Sequence, residues 1–501
     1  MPLGLSLCVR IVLRGELLIV EAALTADVGF QGERAVGSLA WIDDLVERTR
    51  AAVFVRPADG LLLVRPDRTM GLNASATRIL AALYSPEARP AAETLRALAP
   101  ELGIDFDRLA RDAGALMQTL TSVLREDFTP QPGLRFAAFD RNAIRFPTIA
   151  EIALTYKCQN RCTFCYAASP QRGNDDPTMT TAEVKRVMER IFDEAHVPSL
   201  SFTGGEATLR PDLPELIRYG KSLGFRMNLI TNGVRAGSPG FAQRLVEAGL
   251  DSAQVSIEAA DAALHDRIVG RQGAHARTVA AVRSFSRLGI HVHTNSTLCG
   301  DNLDHAPEII RFAARELGLA TLSMNMLIRT GTALARPELD VTYSDVGARL
   351  PELMRVAEDE GIRFVWYSPI PYCIFNPVLA GLGAKACACV DGILSVDPRG
   401  QVLPCSSFED GIGSLLERPY ERVRQSRAAR WWHDKQFVPP PCCDCEHEDI
   451  CGGGCPLYWD RAGSFAELPR PSANDPAARR RWERQRRRGG SFGVRDRDEG
   501  A

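Results

Sequence analysis

The chain has 501 residues, 45% hydrophobic and 24% charged, an ordinary globular balance with length for about three domains of ~150 residues each. Sixty basic residues against 62 acidic ones leave a formal net charge of -2, which excludes a generally basic nucleic-acid binder and a wholly disordered acidic chain. No apolar run reaches the roughly 18 residues of a membrane span, and the apolar start from Leu3 to Val20 is broken by Arg10, Arg14 and Glu16 without a cleavage site, so a cytoplasmic protein with neither membrane nor nucleic acid as partner is expected.

Residues 1–47 mix apolar and acidic side chains without a sustained period and read as an extension of unknown structure. From 48 to 128 the pattern sharpens into a small α+β module. VFVRPADGLLLVRP predicts two strands joined at Asp59-Gly60, a favoured tight-turn pair. Asn73 is placed to cap a helix carrying Ile79, Leu80 and Leu83, and Leu109, Ala113, Leu116, Leu120 and Leu124 recur at helical spacing on a later one. Residues 129–147, with Pro130, Pro132, Gly133 and Pro147, read as a linker.

Between 148 and 365 β-rich runs alternate with amphipathic helices: EIALTY, SLSFTGG, FRMNLITNG, SAQVSIE, HVHTNSTL and TLSMNML. Six β-α units predict a parallel sheet or open barrel of the α/β class. Thr180 and Glu183 spell a capping box before the stripe Val184, Val187, Met188 and Ile191. In such folds reactive groups sit at the carboxyl ends of strands. Residues 366–465 contain nine cysteines and few periodic segments, so metal is expected to replace part of the core there. The tail, 466–501, contains the basic run AARRRWERQRRRGG and is expected to be a solvated, disordered end.

Fourteen cysteines without an export signal read as metal or redox ligands, because a reducing compartment keeps thiols free. Cys8 and Cys299 stand alone and read as small buried hydrophobes. Cys158, Cys162 and Cys165 come from one loop directly after a strand. Three thiolates for a cubane that normally takes four leave one iron open to substrate or cofactor.

This C-x3-C-x2-C, with Phe164 before its last cysteine and Gly204-Gly205-Glu206 after the next strand, resembles the radical S-adenosylmethionine (SAM) superfamily. The resemblance implies a partial (β/α)6 barrel in which Cys158, Cys162 and Cys165 are the sole protein ligands of a catalytic [4Fe-4S] cluster. It further implies that Glu206 accepts from the methionyl amine of SAM, that Gly204 and Gly205 let backbone approach the cofactor, and that Asn232, Ser256 and Glu258 hold its methionine and ribose. One electron from the reduced cluster cleaves SAM, and the resulting 5′-deoxyadenosyl radical takes hydrogen from the substrate. Arg267 and Arg271, in HDRIVGR, resemble a recurrent HDxxRG-like segment of the superfamily, with a surface salt bridge the expected role of each.

Cys442-x2-Cys445-x5-Cys451-x3-Cys455, with Gly400-x4-Cys405 and with Cys387 and Cys389 upstream, resembles the SPASM extension of peptide-modifying radical enzymes, with one or two auxiliary [4Fe-4S] clusters. A zinc ribbon is the competing reading. By resemblance one cluster takes Cys405, Cys455 and two of Cys373, Cys387 and Cys389. The other takes Cys442, Cys445 and Cys451. No cysteine follows Cys455, so the second is expected to use a non-cysteine ligand, His447 or Asp449, or to keep an open iron, with Cys443 and one of the three upstream thiols spare.

LLLVRPDRTMGLNASATRIL resembles the PqqD-like peptide-recognition element, winged-helix-like in form, which captures a precursor's leader by adding it as a strand to a sheet edge. Together these resemblances imply a maturase that cross-links a ribosomal peptide or installs a thioether, with an external flavodoxin or ferredoxin as electron donor. Two rivals are a radical dehydrogenase of the anaerobic sulfatase-maturing type, which needs no leader module, and a non-catalytic iron-sulfur protein.

Overall fold

Strand pairing builds two separate sheets in the computed structural model, which describes residues 6–13, 16–23, 39–64, 68–87, 89–124, 145–169 and 177–488. They belong to two units, Met1–Arg145 and Phe146–Ala501. Most of the predicted linker and the terminal residues 489–501 lie outside the described residues.

The first unit holds a five-stranded antiparallel sheet in the order β2-β1-β5-β4-β3, from β1 (Ser6–Leu13), β2 (Glu16–Ala23), β3 (Val53–Arg56), β4 (Leu61–Val64) and β5 (Arg68–Leu72). The predicted Asp59-Gly60 turn joins β3 to β4. Gly60 takes a positive φ of 66° there, and Arg56 forms a buried double contact with Asp59 at 2.9 and 3.0 Å. Helix α1 (Ala40–Thr49) precedes the hairpin, and α2 (Ala74–Leu83), α3 (Ala91–Leu102) and α4 (Phe106–Leu124) follow the sheet. Asn73 caps α2 as expected, its side chain accepting from Ala76 N at 2.8 Å.

One predicted boundary, between residues 47 and 48, dissolves. Residue 47 falls inside α1, whose Ile42, Leu45 and Val46 are buried in the same core as Ile79, Leu95 and Leu116. The β1-β2 hairpin, drawn from the supposed extension, joins the sheet by pairing β1 with β5.

In the second unit every predicted β-rich run is a strand. β6 (Ile149–Thr155), β7 (Ser199–Gly204), β8 (Arg226–Thr231), β9 (Ser252–Ser256), β10 (His291–Leu298) and β11 (Thr321–Met326) are parallel and adjacent in chain order, and β12 (Arg363–Trp366) adds a seventh. Helices α5 (Thr181–Glu189), α6 (Leu213–Leu223), α7 (Phe241–Glu247), α8 (Ala262–Val269), α9 (Ala274–Arg287), α10 (Ala306–Arg315) and α11 (Tyr343–Asp359) fill the crossovers. The Thr180–Glu183 capping box opens α5 and buries Val184, Val187 and Met188.

The cysteine-rich region is not a detached domain. Its β13 (Ile393–Val396) pairs in parallel with β6 on the edge away from β7, and β14 (Gln401–Leu403) and β15 (Gly413–Ser414) continue the sheet to ten strands. One apolar core runs from Phe146 to Trp482.

The tail expectation is corrected over residues 466–488. Leu468 and Ala473 are buried, and a C-terminal helix, Pro476–Arg488, seats Trp482 at 1% exposure with its Nε1 donating to Phe437 O at 2.7 Å. Among the described residues no helix is long and apolar enough to cross a membrane.

Candidate active site

The loop after β6 presents Cys158, Cys162 and Cys165, and backbone contacts on several sides hold it. Arg161 N and Thr163 N donate to Val269 O and Ile268 O at the end of α8, both at 2.9 Å. Thr332 clasps the other flank, its hydroxyl donating to Cys162 O and Thr163 O at 3.1 Å and its N–H to Cys165 O at 3.0 Å. No motif in the sequence singles out Thr332. Arg271 is a loop brace as well: Nη1 donates to Gln159 O at 3.1 Å, so the expected salt bridge is replaced by a contact that shapes the cysteine loop.

Gly204 and Gly205 are required by the chain itself. A Cβ on Gly204 would lie 2.1 Å from Thr155 O, and one on Gly205 2.4 and 2.5 Å from the carbonyls of Tyr156 and Lys157. The two bare backbones interlock, Gly205 N donating to Thr155 O at 2.7 Å and Glu206 N to Lys157 O at 2.9 Å. The end of β7 is thereby fixed against the residues that lead into the cysteine loop.

Glu206 is fully buried. One carboxylate oxygen accepts from Thr208 N, Thr208 Oγ1 and Thr231 Oγ1 at 3.1, 2.6 and 2.7 Å, and the other from Asn232 N at 2.8 Å. Burial still holds its pKa above the usual carboxylate value against these donors. It ties the ends of β7 and β8 together. Asn232 carries that order forward: Nδ2 donates to Cys158 Sγ at 3.5 Å while Oδ1 accepts from Gln159 Nε2 at 2.9 Å.

The three thiols face one another and a cavity of ≈ 450 Å3 also lined by Phe164, Gly204, Gly205, Asn232, Ser256 and Glu258. Burial pushes the Cys158 thiol up to about 12, with Glu206 and Cys165 adding to it. Three mutually close thiols in a cleft, with Asn160 N and Asn232 Nδ2 both donating to the Cys158 sulfur, fit a [4Fe-4S] cluster, whose binding displaces their protons.

Glu258 meets the same cavity with one backbone donor, Thr297 N at 2.8 Å, and burial pushes its carboxyl up to about 8 from an ordinary 4.5. Between those values the folded chain retains a proton that the unfolded chain has released, so stability falls as pH rises through that window. Without cofactor, Glu258→Gln is expected to gain on the parent by up to about 1.4 kcal/mol per pH unit across it. Denaturant titrations near both ends of the window measure this, and a pH-independent difference would contradict the assignment.

The far part of the same cavity is lined by Cys387, Cys389, Cys405 and Cys455. Cys387 and Cys389 stand 3.3 Å apart at sulfur, Cys389 is also hydrogen-bonded to Cys405, and Cys455 interacts electrostatically with Cys387 and Cys405. A separate group contains Cys373, Cys442, Cys445 and Cys451. Three successive left-handed glycines, Gly452, Gly453 and Gly454 (φ 63°, 70° and 87°), reverse the chain between Cys451 and Cys455 and send these neighbours to different groups. Among the described residues no three His, Cys, Asp or Glu side chains converge tightly enough for a single ion; a cubane is a wider body that holds its thiolates further apart.

Residues 152–313 match the profile of the Radical SAM superfamily. The chain carries a radical SAM domain. Such a domain would hold SAM on a [4Fe-4S] cluster, which would supply a carbon-centred radical on reduction. The chain is 28% identical over 345 residues to the PqqA peptide cyclase of Bradyrhizobium diazoefficiens, covering 66% of this chain and 86% of that one. It is 27% identical over 346 residues to the AdoMet-dependent heme synthase of Oleidesulfovibrio alaskensis, covering 63% and 84%. The fold is shared with Streptococcus suis SuiB, solved with S-adenosylmethionine and with its precursor peptide SuiA, at TM-score 0.59 and 16% identity over 82% of this chain and 96% of SuiB.

Proposed function

We propose that this radical SAM enzyme removes hydrogen from a ribosomally made precursor peptide and installs a cross-link or thioether at an unactivated carbon. The observation that carries the reading is the single cavity shared by the three loop thiols and by Cys387, Cys389, Cys405 and Cys455. A substrate carbon held there lies between a site that generates a radical and a thiol set fit for a SPASM-type auxiliary cluster, which would accept the electron that closing a new bond releases. Asn295 and Asn325, joined at 2.9 Å on β10 and β11, line the cavity with Gln254 and supply amide donors and acceptors for a peptide. Kinship with a peptide cyclase and the fold shared with a protein solved on its precursor peptide are in keeping with a peptide substrate.

The first unit is the leader-binding element of this reading. Its sheet ends in β2 and β3, each an antiparallel edge on which an extended leader can add a strand. An external flavodoxin or ferredoxin supplies the initiating electron. A chain starting near Arg145 is expected to cleave SAM without substrate and to bind the precursor at least tenfold more weakly, a loss of about 1.4 kcal/mol or more. Calorimetry of both proteins with the precursor measures this, and equal affinity would remove the leader-binding role. For the reaction itself, mass spectrometry of the precursor after anaerobic turnover is expected to show loss of two hydrogens with a new internal link. Loss without a link would instead favour the dehydrogenase.

A further inference from the structure

Nine cysteines lie between residues 373 and 455, and the fold separates eight of them into two sets of four. Spacing alone left the second set, Cys442, Cys445 and Cys451, one thiol short. In the structure Cys373 stands with that set, and each of the four interacts electrostatically with the other three. The segment carrying it is fixed there: Tyr372 is buried, and its N–H donates to Cys451 Sγ at 3.4 Å.

The other candidates are turned away. Cys443 is exposed, as Cys373 is, and lies near Cys442, but its thiol is directed to Pro439 O at 3.8 Å; His447 is half exposed and paired with Glu446 at 3.8 Å, and Asp449 is exposed.

A second feature belongs to the same place. Arg470 Nη2 donates to Cys445 Sγ at 2.8 Å, and the guanidinium also lies within electrostatic reach of Cys373. A cubane held by four thiolates carries a net charge of about -2 in its oxidised state, and a guanidinium on the ligand sulfurs offsets part of it.

We infer that Cys373 closes the distal auxiliary site as an all-cysteine [4Fe-4S] centre with Cys442, Cys445 and Cys451, and that Arg470 is its charge-balancing donor. The inference rests on the reading that this chain carries auxiliary clusters, but it replaces the expected non-cysteine ligand or open iron. A closed distal centre is confined to electron transfer, because no iron is left to bind peptide. Arg470 raises its reduction potential by favouring the more negative, reduced state.

Anaerobic reconstitution of the full chain is expected to give about twelve irons, four for each of three cubanes. Cys373→Ala is expected to lose between about one iron, leaving a three-iron cluster with its own paramagnetic signal, and about four. Cys443→Ala should retain them all. Cys373→Ser, which preserves volume, is expected to show one iron with oxygen-ligand Mössbauer parameters. An unchanged iron count and Mössbauer spectrum in both Cys373 variants would overturn the assignment. About eight irons in the parent would mean that the distal cluster itself is absent, a failure of the underlying reading that also ends the inference. Arg470→Gln should move the distal midpoint potential to more negative values, with Arg470→Lys restoring part of the shift; a potential unmoved by Arg470→Gln would refute the role given to Arg470.

Discussion

Cys162→Ala is expected to reduce 5′-deoxyadenosine release under reducing, anaerobic conditions to background while the protein stays folded. The thiol is one of only three that the cysteine loop offers to the cavity, and an alanine leaves the cluster without a ligand. The loop itself does not depend on that side chain. Its backbone is held by Thr332 through Cys162 O and Cys165 O, and by the end of α8 through Arg161 N and Thr163 N. Chromatography of the nucleoside product, with circular dichroism on the same sample, reads both halves of the expectation. Undiminished release by the variant would remove the assignment of the catalytic loop.

The largest expected effect on stability comes from the other end of the chain. Trp482→Ala should destabilise the protein by about 3–5 kcal/mol, the usual cost of emptying a buried aromatic site. Trp482 meets Phe465 edge-on at 5.5 Å, carries the Arg479 guanidinium over its face at 4.9 Å and satisfies Phe437 O. Trp482→Phe keeps most of the packing and loses the hydrogen bond, for about 1–3 kcal/mol. Denaturant midpoints with unchanged slopes measure both. A Trp482→Ala change within about 0.5 kcal/mol, the range of ordinary surface substitutions, would show that the C-terminal helix does not belong to the core.

That helix also shows where sequence pattern stops being informative. Its run of arginines has the composition of a solvated tail, yet Ala478 and Trp482, four residues apart, make a narrow stripe that is buried because Phe437 and Phe465 are folded to meet it. The barrel strands were legible because each is a short apolar run ended by turn residues, and β6 to β11 appear where those runs stand. The β1-β2 hairpin was not, since its partner, β5, lies about sixty residues away and supplies the context that a local pattern lacks.

Within the site, the resemblance divided Cys405 and Cys455 from Cys442, Cys445 and Cys451, but nothing in the spacing placed Cys373 with the second set. The grouping depends on the glycine turn before Cys455 and on the return of Cys373 beside Cys451. The glycines of the Gly-Gly-Glu motif were visible as glycines. The atoms they avoid, the carbonyls of Thr155, Tyr156 and Lys157, emerge only when β6 and β7 are laid side by side.

The central claim is that the radical formed at the loop thiols acts on a peptide carbon inside the shared cavity. A precursor peptide with deuterium at its candidate carbons, turned over anaerobically with SAM, a low-potential reductant and the full-length protein, tests it most directly. Deuterium appearing in 5′-deoxyadenosine, in proportion to modified peptide, is the predicted result. Release of 5′-deoxyadenosine without any label, from a peptide that is bound but unchanged, would contradict the account.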